Sequence, residues 1–230
     1  MNPVRFLLVL CRGDSAGIAP WLDEKRFAPL FVCAVTIVLG CGLYGGVVGW
    51  WRAPEQALFT AVKMPLLIFL TCGGNAVLNG LLAQVLGTGL GFRQTSIAIL
   101  MSFTIAALIL AALSPVAWFI LLNTPPLASA ARGTGHSITL LSDVLFIAYA
   151  GVVANRRLLG LLTAVCSSPA AARRVFWSWL AGNLFLGAQL SWVLRPFIGS
   201  PGLPVQFLRD DPLHGNFYTA VFHALRHLLF

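Results

Sequence analysis

The sequence predicts an all-α membrane protein, a polytopic transmembrane helical bundle with about five spans. Hydrophobic residues make up 58% of the 230 residues and charged residues only 10%, whereas a soluble domain carries roughly 25% charged residues. Several stretches of about 20 residues, the length that crosses a bilayer, are almost free of charge. The mean hydropathy is +0.86. Such a chain cannot bury its apolar residues in a core surrounded by water, so we expect an integral membrane protein.

The charges and turn residues divide the chain into three parts. Residues 1–26 form a cytoplasmic, interfacial arm, residues 27–198 form the five-span bundle, and residues 199–230 form an extracytoplasmic C-terminal segment. The predicted spans are residues 27–51, 64–87, 94–122, 136–154 and 175–194. Residues 53–62 suit a short interfacial helix, and residues 158–172 suit an interfacial or protruding helical segment. We therefore expect interfacial amphipathic helices at the N- and C-terminal ends of the bundle.

The first span contains two overlapping G-x-x-x-G patterns, Gly42 with Gly46 and Gly45 with Gly49. Small residues four apart lie on one face of a helix and allow a neighbouring backbone to approach closely. The pattern permits a tight contact between the first span and another helix, and the alternative is a chance match in a chain with 22 glycines.

The last span is expected to end near Arg195, because the residue before a proline avoids the α conformation and Pro196 follows. Residues 199–214 are rich in turn residues and should be irregular. Residues 215–230 then predict an amphipathic helix lying in the headgroup region. Its apolar face consists of Phe217, Val221, Leu225, Leu228 and Leu229.

Two predicted spans carry polar faces at helical spacing. The second span has Thr71, Asn75 and Asn79, and the fifth has Asn183, Ser191 and Arg195. Polar side chains inside a membrane bond neighbouring helices together or mark the pathway of a solute or ion. The sequence favours helix–helix hydrogen bonds and leaves the pathway open.

Three ionisable residues are expected to form a polar cluster at the outer end of the bundle. Asp143 is the only acid inside a predicted span, Arg195 ends the last span, and Lys63 precedes the second. An unpaired charge at membrane depth costs about 2.5–3.5 kcal/mol on insertion scales. We therefore expect a buried Asp143–Arg195 pair. The alternatives are a neutral Asp143 bonded to Thr139 or to a backbone carbonyl, and an Arg195 that reaches the lipid headgroups.

The distribution of Lys and Arg predicts the orientation. Nine lie in the N-terminal arm and the second and fourth loops, and six lie on the other side. The positive-inside rule places the N-terminus in the cytoplasm and the C-terminus outside. In a membrane protein the net charge of +8 indicates contact with anionic lipid rather than with nucleic acid.

The remaining residues predict neither a metal site nor a catalytic site. The five cysteines are odd in number and form no C-x-x-C pair, so buried thiols are expected instead of disulfides or zinc ligands. His223 and His227 have the spacing of metal ligands but lack the intervening acid of the common helical motif. We expect no cofactor and no enzymatic activity.

Several short segments resemble a bacterial group of membrane proteins related to the Yip1 superfamily. The segments are residues 61–67 (AVKMPLL), 91–95 (GFRQT), 112–116 (ALSPV), 194–197 (LRPF) and 215–218 (GNFY). The resemblance covers roughly residues 55–230 and implies a five-span bundle with a cytoplasmic N-terminus, in the bacterial inner (plasma) membrane. Eukaryotic relatives act as non-enzymatic factors in membrane traffic and membrane shaping. The resemblance supplies no catalytic residues.

These features together predict a non-enzymatic integral membrane protein that acts as an accessory subunit, a scaffold or a membrane-shaping factor. Its expected partners are the lipid bilayer and either other membrane protein subunits or further copies of the chain. The alternative function is a channel or transporter for a small solute or ion, using the polar faces of the second, fourth and fifth spans. A water-filled cavity lined by these faces would favour transport, and a closed bundle would favour the scaffold.

Overall fold

A computed structural model describes residues 2–23, 27–85 and 91–229. Within these residues the chain forms eight α-helices and no strand. The helices are α1 (Pro3–Arg12), α2 (Ser15–Asp23), α3 (Ala28–Trp50), α4 (Pro54–Val85), α5 (Phe92–Leu122), α6 (Arg132–Val165), α7 (Pro169–Val193) and α8 (Phe217–Leu229). The predicted all-helical fold is confirmed.

Four segments of the described residues are long and apolar enough to cross a membrane. They are Ala28–Trp50, Pro54–Leu78, Phe92–Leu122 and Arg132–Val165. They agree with an integral, polytopic membrane protein. The predicted fifth span lies in α7, which has 25 residues but is not among the four. Arg173, Arg174, Asn183 and Gln189 lower its mean hydropathy.

Two of the predicted helix boundaries are wrong. The α4 helix continues without interruption from Pro54 through Lys63 into the second span, so residues 53–62 are not a separate interfacial helix. The α6 helix continues through Arg156 and Arg157 to Val165. Arginine is a good helix former, so a pair of arginines indicates where a helix leaves the apolar layer, not where it ends.

The predicted segment of residues 158–172 is therefore divided between two helices. Its first half completes α6, and its second half opens α7 at Pro169. Ser168 caps α7, because its hydroxyl accepts a hydrogen bond from the backbone N–H of Ala171 at 3.2 Å. The connection between the two helices is a tight turn.

The α3 and α4 helices pack at the predicted glycines. A Cβ built on Gly45 would lie 2.6 Å from the carbonyl oxygen of Thr60. One built on Gly49 would lie 2.5 Å from that of Gln56. Two backbones this close leave no room for a side chain, so the tight contact that the pattern permits is present, with α4 as the partner.

The N-terminal helices pack against one end of the bundle, called here the arm end. Phe6 and Leu10 of α1 belong to the same buried cluster as Leu158 and Leu162 of α6. At this end Arg93 donates a hydrogen bond to the carbonyl oxygen of Leu22 at 3.3 Å. The arm therefore packs against the bundle. Its predicted position on the cytoplasmic surface of the membrane stays a prediction.

The opposite end of the bundle, called here the cap end, is covered by the cap segment (residues 194–216). This segment contains turns and bends but no helix or strand, as predicted for residues 199–214. Ile198 packs in a cluster with Val48 of α3 and with Trp51, which directly follows α3. The α8 helix follows and packs along α6 and the end of α7. Its predicted position in the headgroup region stays a prediction.

The α7 helix joins the two ends. Ala172, Val175 and Trp179, near its start, are buried in the cluster of the arm end. Its last turn leads directly into the cap segment, where the indole N–H of Trp192 donates to the carbonyl oxygen of His214 at 2.8 Å. Along its length α7 packs against α4 and α6.

Candidate functional site

The polar faces of α4 and α7 meet between the two helices. Asn75 is fully buried, and its side-chain amide donates a hydrogen bond to the side-chain oxygen of Asn183. These residues are 108 positions apart in the chain, so the contact fixes α7 against α4. The structure thus places this pair in the role of helix–helix hydrogen bonding.

Thr71 and Ser191, two other polar residues of these faces, bond within their own helices. The hydroxyl of Thr71 donates to the carbonyl oxygen of Leu67 in its own helix at 2.8 Å. The hydroxyl of Ser191 donates in the same way to Ala188 at 2.9 Å. The side chain of Asn79 lies outside the described part of the structure.

A double-mutant cycle tests the contact between Asn75 and Asn183. We expect Asn75→Ala and Asn183→Ala to be coupled by about 0.6–1.7 kcal/mol, the range found for hydrogen bonds between membrane helices. The measurement is the free energy of unfolding in mild detergent. Thr71→Ala serves as the control, because Thr71 bonds within its own helix and should show no coupling to Asn183. Additive effects of the two asparagine changes would contradict the contact.

Lys63 lies on a buried polar stripe at the cap end of α4, together with Gln56 and Thr60. All three side chains are fully buried and bind carbonyl oxygens of the cap segment. The ammonium group of Lys63 donates to Pro196 at 2.8 Å. The amide of Gln56 donates to Pro196 at 2.9 Å and to Phe197 at 3.0 Å. The hydroxyl of Thr60 also reaches the carbonyl of Phe197.

Two phenylalanine rings enclose the ammonium group of Lys63. Its nitrogen lies 4.8 Å from the ring centroid of Phe207 and 5.9 Å from that of Phe197. Such cation–π contacts stabilise a desolvated cation. Lys63 therefore holds the cap segment through both a carbonyl oxygen and two aromatic rings.

Sequence reasoning identified Lys63 but missed Gln56 and Thr60. The three residues have the spacing i, i+4, i+7, which puts them on one face of a helix. The assumed break between residues 53–62 and the second span concealed this pattern. Reading 54–85 as one helix would have revealed the stripe.

Arg195 connects several parts of the cap segment through one side chain. Its guanidinium group donates to the carbonyl oxygens of Pro212 at 2.8 Å, Asp211 at 2.7 Å, Trp192 at 3.1 Å and His214 at 3.2 Å. It also lies 3.6 Å from the carboxylate of Asp211 and 4.1 Å from the ring centroid of Trp192. One side chain thus binds the end of α7 to residues 211–214.

A second cation of the cap segment, Arg209, binds locally. Its guanidinium group donates to Pro204 at 3.1 Å and to the side-chain oxygen of Gln206 at 2.9 Å. Burial and the nearby charge of Arg195 lower the pKa of Arg209, against the opposite effect of Asp210 and Asp211. Arg209 therefore lies in a group of charges that contains both arginines and acids.

Asp143 binds a residue that sequence reasoning did not consider. The phenolic hydroxyl of Tyr44 donates to its carboxylate at 2.7 Å, and the Tyr44 side chain is fully buried. A buried tyrosine hydroxyl needs a polar partner, so the tyrosine in the first span was the signal that could have predicted this contact. Beside the pair lies a cavity of about 20 Å³, which Thr139 and Ser142 also line.

The predicted Asp143–Arg195 pair is wrong. Tyr44 occupies one carboxylate oxygen of Asp143, and the guanidinium group of Arg195 is engaged by the cap segment. The physical reason is local: the chain turns back after Pro196 and brings free backbone carbonyls closer to Arg195 than any acid of α6. The predicted cluster therefore separates. Lys63 and Arg195 share the cap segment, and Asp143 lies apart from them.

The described residues show no arrangement with evident catalytic chemistry. Within residues 2–23, 27–85 and 91–229, no group of three or more His, Cys, Asp or Glu side chains is placed to hold a metal ion. The imidazole of His227 faces the hydroxyl of Ser137 at 3.5 Å, a long contact that joins α8 to α6. The predicted absence of an enzymatic activity stays a prediction.

Comparisons with models of protein families, with curated proteins and with solved structures gave no match. Any functional assignment therefore rests on the polar contacts of the bundle and its two ends.

Proposed function

We propose that the chain is a non-enzymatic integral membrane protein with five spans, acting as an accessory subunit, scaffold or membrane-shaping factor. The observation that carries this proposal is that the polar side chains of the spans form hydrogen bonds within the protein. Asn75 binds Asn183 between two helices, Lys63 binds the cap segment, and Asp143 binds Tyr44. Polar groups that are hydrogen-bonded in this way hold the parts of the bundle together and do not line an open pathway.

The α7 helix is the proposed fifth span. At 1.5 Å per residue, its 25 residues extend about 37 Å, longer than the roughly 30 Å apolar layer of a bilayer. It reaches from the arm end to the cap end beside α4 and α6, and its side chains Leu184 and Phe185 are exposed as in the other apolar helices. A fifth span puts the two termini on opposite sides of the membrane, as the orientation predicted from the Lys and Arg distribution and the Yip1-like resemblance imply.

The apolar surface of the cap segment supports a role in assembly. Its exposed large side chains are Leu203, Phe207, Leu208 and Leu213. A group of exposed apolar residues outside the spans suits the surface of a partner subunit or of a second copy. Leu213 is the most exposed of the four, at 83%.

The proposal is tested by the mass of the assembly in native-like membrane discs. We expect the tagged full chain to form a particle containing more than one 24.7 kDa chain, or to retain a second subunit in fixed ratio. Leu208→Ser with Leu213→Ser should release the partner. Val4→Ser with Leu8→Ser, which changes exposed residues of the arm end, should retain it. A monomer in all three preparations would contradict the proposal.

Vesicle flux distinguishes the alternative function. The cavity beside Asp143, about 20 Å³, has room for roughly one water molecule, so a solute could pass only if the helices separated. We expect purified protein in sealed vesicles to conduct protons and small ions no faster than empty vesicles. A flux that Asp143→Asn abolishes would favour the channel or transporter and overturn the scaffold.

A further inference from the structure

The start of α7 carries an open groove on the outside of the bundle, at the arm end. Five residues line it: Ala170, Arg173, Arg174, Trp177 and Ser178. Trp177 lies one helical turn after Arg173, and Ser178 lies one turn after Arg174. The four side chains therefore form two neighbouring pairs on one face of the helix. All five residues lie on one face of a single helix, so the groove is a shallow surface that is open to its surroundings.

The groove is positively charged, and its two arginine side chains are available to bind an anion. Both arginine side chains are exposed, and within the part of the chain that the structure describes neither guanidinium group forms an ion pair. The sequence contains no acidic residue between positions 144 and 209. The nearest acids along the chain are therefore Asp143 and Asp210, both toward the cap end. Asp14, at the arm end, accepts a hydrogen bond from the backbone N–H of Gly17 and does not line the groove.

The neighbouring tryptophan is a residue typical of the edge of a membrane. Trp177 is 64% exposed, while Val175, Phe176 and Trp179 on the other side of the helix are buried in the bundle. Exposed tryptophans of membrane proteins concentrate at the level of the lipid headgroups. Arg173 and Arg174 lie one turn nearer the arm end, so we expect them at the level of the headgroup phosphates.

We propose that this groove binds the headgroup of an acidic phospholipid, with its phosphate between Arg173 and Arg174 and its glycerol region against Trp177. Guanidinium groups bind phosphate through two parallel hydrogen bonds, and the N-terminal end of α7 adds a favourable dipole. The hydroxyl of Ser178 donates to the backbone carbonyl oxygen of Arg174 at 3.0 Å, so the charged donors of the site are the two arginines. The site rests on the proposed fifth span, α7, but not on the proposed role as a scaffold or accessory subunit.

Lipid retention measured by native mass spectrometry tests the site. The full chain is purified in mild detergent and mixed with phosphatidylglycerol or with phosphatidylcholine of the same acyl chains. We expect the wild type to retain phosphatidylglycerol preferentially. We expect Arg173→Gln with Arg174→Gln to reduce that retention roughly fivefold or more, because the phosphate loses both of its charged donors.

Arg156→Gln is the matched control, since Arg156 is an exposed arginine in α6 that does not line the groove. Equal losses in the control and the double variant would mean that net charge alone attracts the lipid, and would overturn the site. So would unchanged retention in the double variant. Displacement of the lipid by excess inorganic phosphate would assign the groove to free phosphate and also overturn the proposal.

A second variant keeps the test valid if the double arginine variant fails to fold. Trp177→Leu changes an exposed ring and keeps both arginines, and we expect phosphatidylglycerol retention to fall about twofold while the preference over phosphatidylcholine narrows. Wild-type retention with wild-type preference in this variant would contradict the predicted contact with the glycerol region and overturn the proposal.

Discussion

Gly49→Ala should sharply reduce the yield of folded protein, although it adds only one methyl group. That methyl carbon would lie 2.5 Å from the backbone oxygen of Gln56 and 2.8 Å from the Cα of Ala57. Both are backbone atoms of α4, so the two helices must move apart to accommodate it. Overpacking typically costs 1–3 kcal/mol, and a rigid backbone contact belongs at the upper end of that range. The measurement is the monodisperse fraction on size exclusion and the melting temperature in mild detergent.

Gly46→Ala provides the matched control in the same helix. A Cβ at Gly46 would meet only the Cβ of Ala61, at 3.8 Å, which is an ordinary van der Waals contact. Alanine also favours the helix over glycine by about 1 kcal/mol, so this variant should be at least as stable as the wild type. If the two variants behave alike, the α3–α4 contact at Gly49 is looser than the structure has it.

Four of the five predicted spans correspond to helices that are long and apolar enough to cross a membrane, because hydropathy over about 20 residues reports on burial in lipid. Helix ends were less predictable. Lys63 and Arg157 looked like boundaries, yet both lie inside continuous helices, because a charged side chain ends an apolar segment without breaking backbone hydrogen bonds. The irregular cap segment was predictable because Pro196 and the following turn residues do break them.

Side-chain partners were the part that sequence could not supply. Asp143 and Arg195 were matched by charge and depth, but the pairing ignored neutral donors and backbone acceptors. Tyr44 lies 99 positions from Asp143, and nothing in the spacing of either span indicates which helices are neighbours. The polar faces that contain Asn75 and Asn183 predicted hydrogen bonds between helices, and such a bond exists. The sequence did not indicate that these two residues are each other's partners.

Arg195→Gln should release the cap segment while leaving the helices in place. The guanidinium group binds four carbonyl oxygens, three of them at residues 211–214, and glutamine is too short and has too few donors to replace it. Hydrogen bonds to charged groups contribute about 1.5–3 kcal/mol each in favourable cases. A local loss of about 3 kcal/mol would accelerate amide hydrogen exchange in the cap segment roughly 100-fold. Exchange measured by mass spectrometry on peptides covering residues 196–216 gives the readout.

Two further variants show whether the geometry of Arg195 matters and not its charge alone. Arg195→Lys retains the charge but lacks the planar fork of donors, so its cap segment should exchange at an intermediate rate. Arg226→Gln removes an exposed arginine of α8 and should leave the cap segment at the wild-type rate. If Arg195→Gln also leaves the rate unchanged, then the stripe of Gln56, Thr60 and Lys63 holds the cap segment by itself. Arg195 would in that case be only an interfacial charge, the role that the sequence had left open for it.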